Sequence, residues 1–274
     1  MLAALLALKA SGRRQVVIAH EIAAPWSLWP QRFWYALAHR TQWRQILRYA
    51  DAIGFATEAW LERWTRSQPA FRFALLPSPS SIPVSDVGPD HAAAWRQKQG
   101  LPAHARVVAF FGSVSEAKQF PWVERAWRSA HTDAKPVALV AIGDSPATDQ
   151  HGPFFKPLGY LPENEVSLAL QAADVLALPF VDGVSERRTS FMTGLSHGCA
   201  VVTTLGHNTG PTLRAQNGFA ATGATDAEGF CRLAAEFLND DARRVKLREA
   251  AKAEYAQRYD WPVVVGALQR LCWD

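Results

Sequence analysis
Four short, nearly all apolar runs, at 107–111, 137–142, 175–178 and 200–204, restrict the folds open to this chain more than any other feature. Each is too short for a stable helix and none alternates apolar with polar residues, so each reads as a strand buried on both faces. Helical patterns at about 118–130, 164–172 and 187–197 lie among them, and two more begin near Asp226 and Asp241. A short strand at Phe219 comes before the last two. Strands alternating with helices in this way build a doubly wound parallel sheet of the α/β class. Such sheets take ligands at the carboxyl ends of their strands, so the loops after Phe111, Ile142, Pro179 and Thr204 are the places where chemistry is expected.

Upstream the pattern is similar but sparser. A strand at 15–20 follows an apolar helical stretch, and a long helix at 31–49, a strand at 52–57, a Trp-rich helix at 58–64 and a strand at 71–76 come next. Pro77, Pro79, Pro83 and Pro89 then crowd the segment PSPSSIPVSDVGPD, which forbids regular structure and marks a linker. The expected organisation is a first domain over 1–85, a second over 86–258, and a closing helix over 259–274 that packs back toward the first. The opening MLAALLAL is not patterned as a signal peptide, because Lys9, Arg13 and Arg14 follow the apolar run instead of preceding it. It is also far too short to span a bilayer. It reads as the tail of a core helix, so the first domain is expected to be shortened at its N-terminus.

With 49% hydrophobic and 20% charged residues among 274, the chain has the balance of a folded protein large enough for two modest domains. Its net charge of +4 is dispersed, which suits a phosphate-bearing substrate or an anionic membrane surface better than duplex DNA. No helix-turn-helix, zinc-finger or RNA-binding pattern points to nucleic acid. Cys199, Cys231 and Cys272 form no CxxC pair, which argues against a metal site or disulfide framework and for a reducing compartment.

Several loops carry residues suited to an anion. In FFGSVSEAKQF a helix N-terminus follows a strand, so backbone N–H groups and Lys118 can meet a diphosphate; equally, Gly112 makes a tight turn and Lys118 is a solvated helix-start lysine. Gly143 and Asp144 end the next strand, where a small residue permits close backbone approach or simply a turn. The richest loop, PFVDGVSERRTSF, places Ser185, Glu186, Arg187 and Arg188 at the start of a helix. Adjacent arginines there oppose the helix dipole unless an anion sits beside them. Gly198 is expected to end that helix in a left-handed cap. In the first half, His20 and Glu21 follow a buried strand, either as site residues or as an ordinary strand end. The tryptophans at 26, 29, 34, 43, 60 and 64 suit a core, a sugar-stacking surface or a membrane interface.

The order of these pieces brings a resemblance. The second half is similar to the family 4 retaining glycosyltransferases of the GT-B fold, also called glycosyl transferases group 1. The residues that carry it are Gly112 with Lys118, Gly143 to Pro146, Gly159 with Tyr160, Ala173 to Pro179, and Gly198 to Thr204, continuing to Tyr259, Asp260 and Trp261. The resemblance implies two Rossmann-like domains, the N-terminal one incomplete, and transfer of a sugar from a nucleotide-diphosphate donor, with retention and without a metal or other cofactor. It implies a carbohydrate or lipid-linked acceptor and a setting in polysaccharide or glycoconjugate assembly, cytoplasmic and peripheral to the inner membrane face. Carried over residue by residue, it gives His20, Lys118 and Glu186 catalytic roles, and assigns Gly112, Ser113, Lys118, Arg187 and Arg188 to the diphosphate. It assigns Gly143, Asp144, Tyr160, Ser185, Glu186, Ser190 and Thr193 to the donor sugar or nucleoside, and Glu21 to the acceptor side.

The chain also departs from the family. Ser113 stands where the family has a diphosphate-binding arginine, and Arg187 or Arg188 is expected to replace that contact. Of the family's two donor-facing glutamates, the second falls on Thr193 and the first at Ser185 or Glu186. This leaves open a non-catalytic sugar-nucleotide or partner-binding protein derived from such an enzyme. A nicotinamide oxidoreductase is disfavoured, since FFGSVSEAK does not supply GxGxxG.

Overall fold
The computed structural model describes residues 2–22, 28–88, 90–144 and 152–273, and of residues 2–5 only the backbone. The chain divides into two compact units, Met1–Pro77 with Trp261–Asp274, and Ser78–Asp260. Residues 78–85, assigned from sequence to the first domain, belong to the second unit.

The first unit opens with α1 (Leu2–Ala10), β1 (Val16–Ala19), α2 (Pro30–Tyr49), β2 (Ala52–Phe55), α3 (Glu58–Ser67) and β3 (Phe73–Leu75). Its three strands form a parallel sheet in the order β1-β2-β3. Side chains of β2 alternate between two small cores, as the twofold repeat of a strand dictates. Ile53 and Phe55 pack with Trp43, Trp60 and Trp64, while Ala52 packs with Leu76 and Leu271. The Trp-rich stretch is thereby divided. Trp43 is buried 5.9 Å from Phe55 and 5.4 Å from Trp64, whereas Trp29 and Trp34 are 74% and 65% exposed. Trp26 lies outside the described residues.

The second unit runs α4 (His91–Lys98), β4 (Arg106–Phe111), α5 (Phe120–Ala130), β5 (Val137–Ile142), β6 (Phe155–Gly159), α6 (Glu163–Ala172), β7 (Val175–Leu178), α7 (Thr189–Ser196), β8 (Val201–Leu205), α8 (Pro211–Arg214), β9 (Ala220–Gly223), α9 (Ala227–Asn239) and α10 (Asp241–Arg258). The final helix, α11 (Trp261–Trp273), follows it in the chain but clusters with the first unit. Six parallel strands form one sheet in the order β6-β5-β4-β7-β8-β9. Every residue of β5 and β7 is buried, the result expected of apolar strands covered by helices on both faces. Two helix starts are fixed by side chains: Asp226 accepts from the N–H of Gly229 at 2.8 Å and Asp240 from that of Arg243 at 2.9 Å.

Chain order reverses at one point in this sheet, since β5 and β6 lie on one side of β4 while β7, β8 and β9 lie on the other. In doubly wound sheets a reversal of this kind marks the crevice outside the strand ends where ligands bind, which makes the loops after β4 and β7 the candidate site. The opposite end is locked by Asp174, which accepts from the N–H of Val107 at 2.7 Å and pairs with Arg96 at 2.9 Å. Asp174, in the stretch Ala173 to Pro179, thus joins β4, β7 and α4.

Candidate functional site
The strand-end loops at the reversal point are stitched together by backbone. Lys118 bridges Phe180 in antiparallel fashion, Gln119 N–H donates to Pro179 O at 3.0 Å and Val181 N–H to Ala117 O at 3.2 Å. This corrects the expected helix start at Lys118. Pro121, in the first turn, lets the helix begin at Phe120, and Lys118 stays in the loop.

The Lys118 side chain folds back on the end of β4. Its Nζ donates to Phe111 O at 3.0 Å and lies 5.3 Å from the centre of the Phe110 ring. Burial, and secondarily the charge of Arg188, pull its pKa down to about 8. Gly112 makes this placement possible: its φ is +112°, and a Cβ there would fall 2.1 Å from the ammonium. Gly143 meets the same turn from the next strand, with φ +102° and room for a Cβ only 3.0 Å from Gly112 O. Asp144 beside it is exposed, as is Ser113, and Tyr160 is 82% exposed. Pro146 lies outside the described residues.

The loop after β7 supplies two more cations. Residues 185–187 precede the helix instead of opening it: the N–H of Arg188 closes a turn on Ser185 O at 3.0 Å, and Arg188 is the extended N-cap of α7. The anion demanded by adjacent arginines at a helix start is provided by the chain itself. Asp182 pairs with Arg187 at 3.1 Å and with Arg188, and also accepts from Asn208 Nδ2 at 2.7 Å. Burial raises the Asp182 pKa, but Arg188, Asn208 and Arg187 together outweigh it and hold the carboxyl below its usual range. Arg188 stacks 4.7 Å above the Phe180 ring. Neither Asp182 nor Asn208 stands out in the sequence; the signal for the first was the need of two arginines for a counter-charge.

The other expected donor residues are more deeply set. Ser185 and Glu186 are fully buried; the Ser185 hydroxyl has no hydrogen-bond partner among the described residues, and Glu186 O accepts from the N–H of Ser78 at 3.0 Å. Thr193 is buried and accepts from Ser80 Oγ at 3.2 Å. Ser190 is buried, with its Cβ near the open side of Gly112. The structure therefore brings together Gly112, Lys118, Gly143, Arg187, Arg188 and Ser190 at the ends of β4, β5 and β7. His20 and Glu21 sit in the first unit, exposed, directly after β1. The expected left-handed cap at Gly198 is present, with φ +60°. Among the described residues no group of three His, Cys, Asp or Glu side chains converges as metal ligands would.

Two parallel sheets with their helices make an α/β fold that matches the GT-B glycosyltransferase fold of solved structures. HepE of Anabaena, solved in complex with UDP and glucose, matches at a TM-score of 0.71 and 18% identity over 98% of this chain and 73% of its own. WaaG, a glycosyltransferase involved in lipopolysaccharide biosynthesis, matches at 0.72 and 16% identity over 99% and 81%. The sucrose-phosphate synthase of Thermosynechococcus elongatus matches at 0.71 and 17% identity over 93% and 67%. No protein-family model and no curated protein matches the sequence.

Proposed function
We propose that this protein transfers a sugar from a nucleotide-diphosphate donor to a carbohydrate or lipid-linked acceptor in polysaccharide or glycoconjugate assembly, with retention at the anomeric carbon. One observation carries the reading: Lys118, Arg187 and Arg188 converge at the strand reversal beside a helix start, with Asp182 as the carboxylate that pairs with the arginines. Breaking the bond to a diphosphate leaving group builds negative charge on it, and fixed cations with oriented N–H groups stabilise that charge most where water is excluded. In this reading the side chains do the work a metal would do elsewhere, so turnover survives a chelator. Lys118 and Glu186 act at the donor and His20 at the sugar. Ser113, Gly143, Asp144, Tyr160, Ser185, Ser190 and Thr193 line the diphosphate, sugar and nucleoside, and Glu21 serves the acceptor side. Free Cys199, Cys231 and Cys272 support a cytoplasmic setting.

A membrane-linked acceptor is supported by α2. Pro30, Phe33, Trp34, Leu37, Thr41, Arg44 and Arg48 form one exposed stripe at helical spacing, and no acidic residue occurs between Ile22 and Asp51. No helix among the described residues is long and apolar enough to cross a bilayer, so contact would be peripheral.

Calorimetric titration with UDP, GDP, ADP and their sugar conjugates tests the donor site. One nucleotide is expected to bind, and Lys118→Ala to weaken it by about tenfold or more. Silence across the panel from the folded protein would refute the site. Thr193, where the family has a glutamate, favours a second reading as a non-catalytic nucleotide-sugar binder; binding without turnover over any acceptor panel would select it.

A further inference from the structure
Asp182 has no counterpart among the residues that the sequence pointed to, yet it is the centre of the cationic crevice. One carboxylate oxygen holds Arg188; the other accepts from Arg187 at 3.1 Å and Asn208 Nδ2 at 2.7 Å. The three charged side chains are 12%, 16% and 14% exposed for Arg187, Arg188 and Asp182. The Asp182 backbone is held as well, its carbonyl accepting from the N–H of Asn208 at 3.0 Å. Both guanidinium groups are thereby fixed in place before any ligand arrives, and the local excess of positive charge is lowered by one.

We infer that Asp182 is a positioning and specificity-determining residue that tunes this crevice to the sugar-linked diphosphate over the free nucleoside diphosphate. The inference rests on the donor site proposed above. A sugar-linked diphosphate is a diester with two ionised oxygens. The free nucleoside diphosphate has a terminal phosphate with a further ionisation near pH 6, so it carries about one more negative charge at pH 7.5. Removing the Asp182 carboxylate would raise the positive charge facing the ligand by one unit and favour the more highly charged product, which would then leave slowly. With it, the two ligands compete on nearer terms and the arginines stay aimed at the crevice.

The test is calorimetric titration of matched pairs, UDP with UDP-glucose, GDP with GDP-mannose and ADP with ADP-glucose, against the wild type, Asp182→Asn and Asp182→Glu. For the pair that binds, Asp182→Asn is expected to shift the affinity ratio toward the free diphosphate by about tenfold, as one unit charge acting on another at this range predicts. Asp182→Glu, which restores the carboxylate, is expected to keep the wild-type ratio even where both affinities fall. Arg187→Gln, a change of opposite sign in charge, is expected to move the ratio toward the sugar-linked ligand, and it serves where Asp182→Asn does not fold. Equal loss of both ligands in Asp182→Asn, or an unchanged ratio in Arg187→Gln, would overturn the inference and leave the donor site standing. A wild type that binds neither member of any pair would overturn the donor site, and this inference with it.

Discussion
Lys118 shows how much one buried ammonium can reveal. Its folded pKa of about 8 lies below its unfolded value of 10.5, so the folded state disfavours the proton. Below pH 8 both states are protonated and the full cost of burying the charge is present; as pH rises from 8 to 10.5 the folded state sheds its proton first and stability rises. Lys118→Met should therefore stabilise the protein by about 2 kcal/mol at pH 7, with the gain fading toward pH 10.5 in urea melts. Ligand affinity runs the other way. Because the cationic form is lost above pH 8, affinity for a sugar-linked diphosphate, whose phosphate charge is constant there, should fall about threefold between pH 7 and 8.5, below the range where a uracil or guanine ring ionises. The decline should vanish in Lys118→Arg, which stays charged. Gly112 is the second residue on which the site depends. With φ at +112° and the ammonium in the space of a Cβ, Gly112→Ala should lower stability by about 1–3 kcal/mol and displace Lys118. An unchanged melting temperature together with unchanged nucleotide affinity would show that the turn tolerates a side chain.

Among the elements, α2 and α11 show that a helix's neighbours matter more than its own pattern. The buried side of α2 is fixed by Ala36 and Trp43, and its exposed stripe places aromatic residues at one end and Arg44 and Arg48 at the other. Such a face gains from an anionic lipid surface through both apolar insertion and charge, at about 1 kcal/mol per arginine near the headgroups. Co-sedimentation with vesicles containing phosphatidylglycerol should retain the wild type, lose Trp34→Ser with Leu37→Ser, and weaken in high salt. Retention by neutral vesicles and anionic ones alike would remove the electrostatic part of that expectation. In α11, Leu271 is buried against Ala52 and Leu76 of the first unit, although the helix follows the second in sequence. The sequence placed the start of this helix at 259, within two residues of its observed start at Trp261.

At the scale of the whole molecule, the two units differ in the core they command. Among the described residues the second has six strands and one large cluster of buried side chains, while the first has three strands and two small clusters. Opening free energy follows buried apolar contact, so amides of β4, β5 and β7 should exchange with solvent more slowly than those of β1 and β3. Hydrogen exchange read by mass spectrometry checks this, and equal protection in both sheets would show that the units unfold as one.

The sequence by itself located most of the strands, the longer helices between them and the strand-end loops, because apolar runs and helical periodicity are local and survive without knowledge of partners; it missed the short α4 and α8, whose patterns are too brief to register. It located Gly112, Lys118, Gly143 and the two arginines for the same reason: each sits at a strand end or helix start that composition marks. Only the tertiary structure decided what those charges meet. Asp182 pairs with both arginines because Gly206 and Asn208, well downstream in sequence, close against its loop. It also decided that Lys118 stays out of the helix, that Asp174 is a brace, and that Trp43 is core while Trp29 and Trp34 are surface. A side chain's burial and its ion-pair partners depend on which distant elements pack beside it, and no local pattern carries that information.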